Sequence, residues 1–236
     1  MEFCTVFYVN EIFESLRRRK LGCWINSNFH GMAGYSDDNW ILAPSIDGLQ
    51  EMLSVIEKFC IPHNLKFSTD PDPQKCKTKC VAFLRRQRHL PAVFLCGNRL
   101  PWVDHGVHLG NYFSNSDSAM KKDVVTKRAI YVQKNCELEQ ELFFADPRTK
   151  IMINNIYNCH FTGSPLWDLF GKEVGQFERT WNVSIRKMLG LPQTTHRYLI
   201  EPVSGTQHLK KLLIKRFISF LHQIQSSGGN ATKQLL

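Results

Sequence analysis

Two adjacent acidic residues, Asp37 and Asp38, form the pair in this sequence best suited to metal-dependent chemistry. They interrupt an otherwise apolar stretch that runs from Gly31 to Pro44. Neighbouring carboxylates in such surroundings repel each other and lose hydration unless a cation compensates them. A pair of Mg²⁺ ions would do so, because hard cations take oxygen ligands. Two exposed acids in a turn are the alternative interpretation.

The hydrophobic pattern predicts the elements that hold these acids. Apolar residues on both sides of the pair indicate a β-hairpin with the acids at or beside its turn. Pro44 ends the hairpin, and Ser45 is suited to cap a following helix. That helix carries an apolar stripe at helical spacing, formed by Leu49, Met52, Leu53, Ile56 and Phe59. Another helix, over residues 3–20, is predicted before the hairpin by its own apolar spacing and its basic last turn.

The pattern changes character near residue 114. Before it we expect a strand over residues 75–84, a hairpin with its turn at Gly97-Asn98 and a short strand over residues 107–113. After it the chain is helical, with a helix start at Asp146-Pro147. The sequence therefore predicts an α+β fold: an antiparallel sheet with helices over 1–114, an all-helical region over 115–225 and a disordered tail over 226–236.

The charge distribution suggests a polyanionic partner. The chain has 30 Lys and Arg against 21 Asp and Glu, a net charge of +9. Residues 1–70 have 6 basic against 9 acidic residues (net −3), residues 71–130 have 11 against 4 (net +7), and residues 131–236 have 13 against 8 (net +5). An acidic front and a basic body are typical of proteins that hold nucleic acid in one part and a metal or chemistry in another.

Composition limits the location of the protein. No apolar run approaches the roughly 20 residues that span a bilayer, so no membrane partner is expected. The first ten residues lack the basic start of a signal peptide. Eight scattered cysteines indicate reduced thiols, and we expect an intracellular protein of the nucleus, the cytoplasm or both. A zinc site made by Cys76, Cys80, His105 and His108 is a weaker alternative.

Several motifs resemble motifs of the reverse transcriptases of non-LTR (LINE-type) retrotransposons, and they occur in the same order along the chain as in that family. The segment Gly34-Tyr35-Ser36-Asp37-Asp38, followed by Trp40-Ile41-Leu42-Ala43-Pro44-Ser45, is similar to their Tyr-Ala-Asp-Asp hairpin. Five further segments resemble other parts of the same proteins: Asn10-Glu11-Ile12-Phe13, Leu65-Lys66-Phe67 with Lys77-Thr78-Lys79, His108-Leu109-Gly110, Gly163-Ser164-Pro165-Leu166-Trp167, and Thr195 to Pro202. The resemblance covers roughly residues 3–223.

The resemblance implies a partial polymerase palm followed by a thumb-like helical region. It implies RNA-directed DNA polymerisation with two Mg²⁺ ions, an RNA template, a DNA primer and deoxynucleoside triphosphates. Asp37 would be the main catalytic metal ligand and Asp38 the weaker one, while Tyr35 would line the primer–nucleotide site. Either Lys77 or Lys79 would approach the nucleotide phosphates. Lys75, Leu109 and Gly110 would contact nucleic acid, the last two as the Leu-Gly of a primer-grip hairpin.

The departures from the family lead to a second expectation. The first catalytic aspartate, the fingers and the Gly-rich template-grip motif would lie before Met1, so we expect the isolated chain to be inactive. Asn39 stands where Ile or Val is usual, and a buried Asn would need hydrogen-bond partners. The alternative function is a non-catalytic remnant that binds RNA or DNA through its basic thumb-like region.

Overall fold

The structure, a computed structural model, describes residues 2–35, 38–65, 67–72, 74–84, 89–114, 118–158 and 161–226. The mixed α+β class expected from the sequence is confirmed. The chain divides into two compact units, one up to Gly106 and the other from Val107 to Ser226. The predicted tail lies outside the described residues apart from its first residue.

The first unit combines two helices with short antiparallel hairpins. Its elements are α1 (Glu2–Arg18), β1 (Trp24–Ile25), β2 (Asn28–Phe29), β3 (Met32–Tyr35), β4 (Asp38–Ile41), α2 (Ile46–Cys60), β5 (Val93–Leu95) and β6 (Asn98–Leu100). The pairs β1–β2, β3–β4 and β5–β6 are each two-stranded sheets among the described strands. A hairpin β7 (His105–His108) and β8 (Asn111–Ser114) follows, and the division between the units falls within β7.

Helix α2 is the centre of the first unit. It begins as predicted at Ser45, whose Oγ accepts a hydrogen bond from the Gly48 amide at 3.1 Å. One face contributes to a cluster of six buried residues with α1 and β3: Ile12, Leu16, Met32, Met52, Ile56 and Cys60. Its other face contributes Leu53 to a second cluster, which also contains Cys76, Cys80, Val93, Leu95 and Leu100. Because α2 carries apolar residues on two faces, it organises both small cores.

Tight turns close the short hairpins. Positive φ angles occur at both central residues of Asn26-Ser27 (45° and 65°), Cys96-Gly97 (52° and 74°) and Leu109-Gly110 (47° and 73°). This is the type I′ pattern, whose twist matches that of the flanking strands. The predicted Gly97-Asn98 turn is therefore wrong by one residue, since the glycine occupies the second central position. The single strand predicted over residues 107–113 is also wrong, because the chain reverses at Leu109-Gly110.

The second unit is helical after β8. Its elements are α3 (Ser118–Glu141), α4 (Pro147–Ile153), a π-helical turn (Asn154–Asn158), a 3-10 turn (Ser164–Leu166), α5 (Lys172–Met188), a second 3-10 turn (Arg197–Leu199), α6 (Ile200–Ser204) and α7 (Leu209–Ser226). As predicted, α4 begins at Asp146, whose carboxylate accepts from the amides of Arg148 and Thr149.

An aromatic group lies at the centre of this helical unit. Five of its fourteen buried core residues are aromatic: Tyr131, Phe161, Trp167, Phe177 and Trp181. Tyr131 stacks on Trp181 with ring centroids 5.2 Å apart. The Trp167 indole donates to the Asp123 carboxylate at 2.7 Å, so this polar ring atom is satisfied within the core. The unit thus has one continuous core.

Candidate functional site

The β3–β4 hairpin positions the residues beside the acidic pair. Tyr35 pairs with Asp38 and Gly34 with Asn39 in antiparallel register, so Ser36 and Asp37 form a two-residue connection. The predicted hairpin is confirmed, and Asp38 opens its return strand. Ser36 and Asp37 themselves lie outside the described residues. The arrangement brings the Tyr35 and Asp38 side chains to one end of the hairpin on opposite strands.

The hairpin is buried at its base and exposed at its tip. Met32 at the base is 6% exposed, whereas Tyr35 at the tip is 67% exposed. Asp38 and Asn39 are exposed as well. Because Asn39 is exposed, its amide does not raise the problem of a buried polar group without partners.

The base is fixed by backbone hydrogen bonds. The Leu42 amide donates to the Gly31 carbonyl at 2.8 Å, and the Cys23 amide donates to the Leu42 carbonyl at 3.1 Å. A Cβ at Gly31 would lie 2.5 Å from the Phe29 ring, so only glycine fits at the start of β3. These contacts give the exposed tip a rigid foundation.

A second candidate element is an extended segment that we call the lysine segment, residues 75–80. The predicted strand over residues 75–84 is wrong, because the described part of this range is irregular apart from one bridge between Cys80 and Trp102. Burial still alternates along it: Cys76 and Cys80 are buried, while Lys77 and Lys79 are exposed. Successive side chains of an extended chain point to opposite sides, so the two lysines share the outer side.

Hydrogen bonds hold the lysine segment in its middle, at Thr78, and at its last residue, Cys80. The Thr78 amide and hydroxyl both donate to the Ser68 carbonyl at 3.2 Å. The Cys80 amide donates to the Pro101 carbonyl at 2.9 Å, and the Val103 amide donates to the Cys80 carbonyl at 2.9 Å. The positions of the two lysines are therefore set by the core beneath them.

The three lysines of this segment differ in their partners. Lys75 lies 3.8 Å from a carboxylate oxygen of Asp72. Within the described part of the chain, neither Lys77 nor Lys79 forms an ion pair or a side-chain hydrogen bond. Lys77 and Lys79 are thus both accessible to an anionic ligand on the same exposed side. Their surroundings do not indicate which of the two would approach the nucleotide phosphates.

The Leu109-Gly110 turn belongs to the second unit. Leu109 adopts φ 47° and its side chain is 46% exposed. The Lys127 ammonium on α3 donates to the Gly110 carbonyl at 2.9 Å and holds the turn against the helix. A bulky residue in the left-handed region is strained, so this exposed Leu is a candidate for a role outside the folded core.

The candidate residues are thus brought together only in part. Tyr35 and Asp38 form a cross-strand pair, and Lys77 and Lys79 share one side of a segment in the same unit. No hydrogen bond or ion pair joins Asp38 to either lysine within the described ranges.

Cys76 and Cys80 belong to the second core cluster of the first unit. Burial raises the pKa of the Cys80 thiol to about 11, and the neighbouring Cys76 adds to this effect. Across the part of the chain that the structure describes, no three His, Cys, Asp or Glu side chains come together as metal ligands. The zinc alternative therefore has no support here. Asp38 is the described member of the acidic pair and lies at the hairpin tip, whereas Asp37 lies outside the described residues, so the site for two Mg²⁺ ions stays a prediction.

Sequence reasoning missed a groove in the second unit. It is lined by one side of α5, by Arg197 and by the start of α7, and it has two adjoining parts of about 440 and 340 Å³. The lining residues of α5 recur at helical spacing: Gly175, Glu178, Arg179, Asn182, Val183 and Arg186. This period was readable in the sequence, but a polar helix side ordinarily faces solvent.

Comparison of the chain with protein-family models, with curated proteins and with solved structures gives no match. None of the described helices has the length and apolar character that crossing a bilayer requires.

Proposed function

We propose that the chain is part of an RNA-directed DNA polymerase of the non-LTR retrotransposon type, comprising the catalytic hairpin, the end of the palm and a thumb-like helical region. The β3–β4 hairpin is the observation that carries this proposal. It offers Tyr35 and Asp38 at an exposed end, with a two-residue connection that contains Asp37, on a base packed by α1 and α2. The ordered motifs of the sequence supply the rest of the support.

The resemblance assigns Asp37 and Asp38 as metal ligands and offers no carboxylate in this chain for the opposite side of the two Mg²⁺ ions. Two-metal nucleotidyl transfer needs carboxylates on both sides of the ions. The isolated chain is therefore expected to give no primer extension on an RNA template with Mg²⁺ or Mn²⁺. Template-dependent incorporation that disappears in Asp37→Asn would contradict this expectation.

Binding of an RNA–DNA hybrid tests the proposal directly. Each phosphate neutralised by a cation releases counterions, so log K falls with log salt by about 0.9 per contact on a B-DNA-like duplex. Lys77 and Lys79 share one exposed side, whereas Lys75 already has Asp72 beside it. Replacing all three by Ala should flatten the slope by about two units, with the larger share from Lys77 and Lys79.

The matched control is the double variant Arg19→Ala/Lys58→Ala, which removes two exposed cations from the same unit. It should leave the salt slope within about half a unit of the parent if the contacts are local. An unchanged slope in the lysine variant would remove these lysines from the site. Absence of hybrid binding at low salt would overturn the nucleic-acid function altogether.

A second function, nucleic-acid binding without catalysis, is favoured by the groove of the second unit. Six Lys and Arg residues line that groove against one acid, Glu178. This function needs no second carboxylate at the hairpin. A chain that binds hybrid with the expected salt dependence but never extends a primer, even when joined to the rest of a palm, would be such a binding protein.

A further inference from the structure

The groove between α5 and α7, which we call the basic groove, concentrates positive charge in a small space. Its basic residues are Arg179, Arg186, Arg197, Lys210, Lys211 and Lys215. Glu178 and Arg197 line both parts of the groove, and their side chains approach to 4.0 Å where the parts meet. The volumes of its two parts, about 440 and 340 Å³, fall in the lower part of the range of small-molecule sites, about 300–1,000 Å³.

The cations of the basic groove are not all used within the protein. Arg186 donates twice to the Thr195 carbonyl, at 3.0 and 2.8 Å, and so fixes the loop that carries Arg197. Lys211 donates to Glu201 at 2.8 Å, and Lys210 lies over the Phe170 ring. Arg179 is exposed and has no ion pair or hydrogen bond among the described residues. The groove therefore holds a surplus of cations suited to phosphates.

Exposed rings flank the cation that lines both parts of the groove. Tyr198 is 66% exposed and stacks on His196, with ring centroids 5.4 Å apart and planes inclined by 21°. Arg197 lies between them in the sequence. An aromatic platform beside a cationic groove is the usual means of holding unpaired bases, which offer their faces to stacking. A duplex could not use this platform without unstacking a base.

We propose that the basic groove binds single-stranded nucleic acid, with Arg179 and Arg197 on phosphates and Tyr198 stacking on a base. The inference rests on the nucleic-acid part of the proposed function and is independent of its catalytic part. The surplus of cations selects a polyanion, and the platform selects an unpaired strand.

The experiment measures binding of the full chain to a labelled oligouridylate of about 12 nucleotides, a length within single-strand site sizes. Fluorescence anisotropy at low salt compares it with the same strand paired to oligoadenylate. The parent should bind the single strand several-fold more tightly than the duplex, because a paired base cannot stack on Tyr198. Arg179→Glu and Tyr198→Ala should each weaken binding of the single strand about tenfold.

Lys134→Glu is the matched control, because it reverses an exposed charge on α3 of the same unit, and it should change affinity less than about twofold. Equal loss from Lys134→Glu and Arg179→Glu would overturn the groove as the site. Equal affinity of the parent for the single strand and for the duplex would overturn the role of the stacking platform. Oligoglutamate that bound as tightly as RNA would show a site for acidic peptides instead.

The outcomes also separate this inference from the proposed function. If groove variants bind like the parent while the lysine-segment variant loses hybrid binding, the groove inference fails and the proposed function stands. If the chain binds neither RNA nor hybrid at low salt, both fail.

Discussion

The two units bury their apolar side chains in different ways. Among the residues that the structure describes, the first unit has two clusters of six buried residues, both built on α2, whereas the second has one cluster of fourteen. The hairpins of the first unit are separate two-stranded sheets, which are marginal unless a helix covers them. The second unit closes helices around stacked aromatic rings. The small core leaves the hairpin tip exposed, and the large core supports the groove beside α5.

This comparison is tested most strongly by removing the central ring of the larger core. Trp181 is 1% exposed and stacks on Tyr131. Trp181→Ala should lower the free energy of unfolding of the second unit by about 3–5 kcal/mol. In the parent, limited proteolysis should leave a C-terminal fragment beginning between about 110 and 120, since the larger core opens less often. In the variant that fragment should disappear.

Phe144→Ala is the control for this prediction. Phe144 is 97% exposed, so its loss should change the free energy of unfolding by less than about 0.5 kcal/mol and leave the fragment intact. Urea unfolding followed by circular dichroism gives both values. Equal protection of the whole parent chain against protease would contradict the difference between the units.

A second prediction concerns Cys80 in the smaller core. The thiolate is the reactive form, and burial raises the pKa of this thiol to about 11. At pH 8 iodoacetamide should label Cys80 at least about a hundredfold more slowly than the exposed Cys136. Peptide mass spectrometry measures both rates in one sample. Rapid labelling of Cys80 would mean that the first unit opens readily or that its thiolate is stabilised.

The same raised pKa has a consequence for stability. The unfolded chain loses the Cys80 proton at the ordinary thiol pKa of 9.0, before the folded chain does at about 11. The protonated thiol therefore favours the folded state below pH 9.0, and this contribution to stability is lost as the pH rises from 9.0 to about 11. The urea concentration at the unfolding midpoint of the first unit should decrease as the pH rises from 9.0 to about 11, and Cys80→Ala should make this decrease smaller.

A structural feature could be predicted from the sequence where a few consecutive residues determine it, and could not be predicted where contacts with residues distant in sequence determine it. Ser45 and Asp146 mark helix starts through their own side chains, so α2 and α4 were predicted at the correct residue. The apolar residues around Asp37 and Asp38 likewise indicated the hairpin. These features depend on a few consecutive residues.

Other features depend on contacts that the sequence does not display. The lysine segment alternates like a strand but hydrogen-bonds to Ser68 and Pro101 instead of forming a ladder. Leu109 enters a turn with a conformation that Leu seldom adopts. The basic groove exists only because Arg197 and the start of α7 lie against the polar side of α5. Each case requires the positions of residues distant in sequence.

The third prediction concerns the attachment of β5 to α2. The Gln50 amide accepts from the Phe94 backbone amide at 2.8 Å and donates to the Phe94 carbonyl at 3.0 Å. Gln50→Ala removes both bonds and should lower the free energy of unfolding of the first unit by about 1–2 kcal/mol. The neighbouring Glu51→Ala, on the exposed side of α2, should have little effect. Equal effects of the two substitutions would show that β5 is held by apolar contacts alone.

The smallest expected effect comes from the strained turn at Leu109. Leu109 has φ 47°, and asparagine tolerates this region better than leucine, so Leu109→Asn should raise the free energy of unfolding by about 0.5–1 kcal/mol. Cys96→Asn is the matched control, because Cys96 has φ 52° at the same position of the β5–β6 turn, and it should give a similar gain. If Leu109 contacts a primer–template duplex, Leu109→Asn should weaken RNA–DNA hybrid binding while Cys96→Asn leaves it unchanged. If Leu109→Asn raises the free energy of unfolding and leaves RNA–DNA hybrid binding unchanged, Leu109 does not contact the nucleic acid, and its strained backbone has no role in hybrid binding.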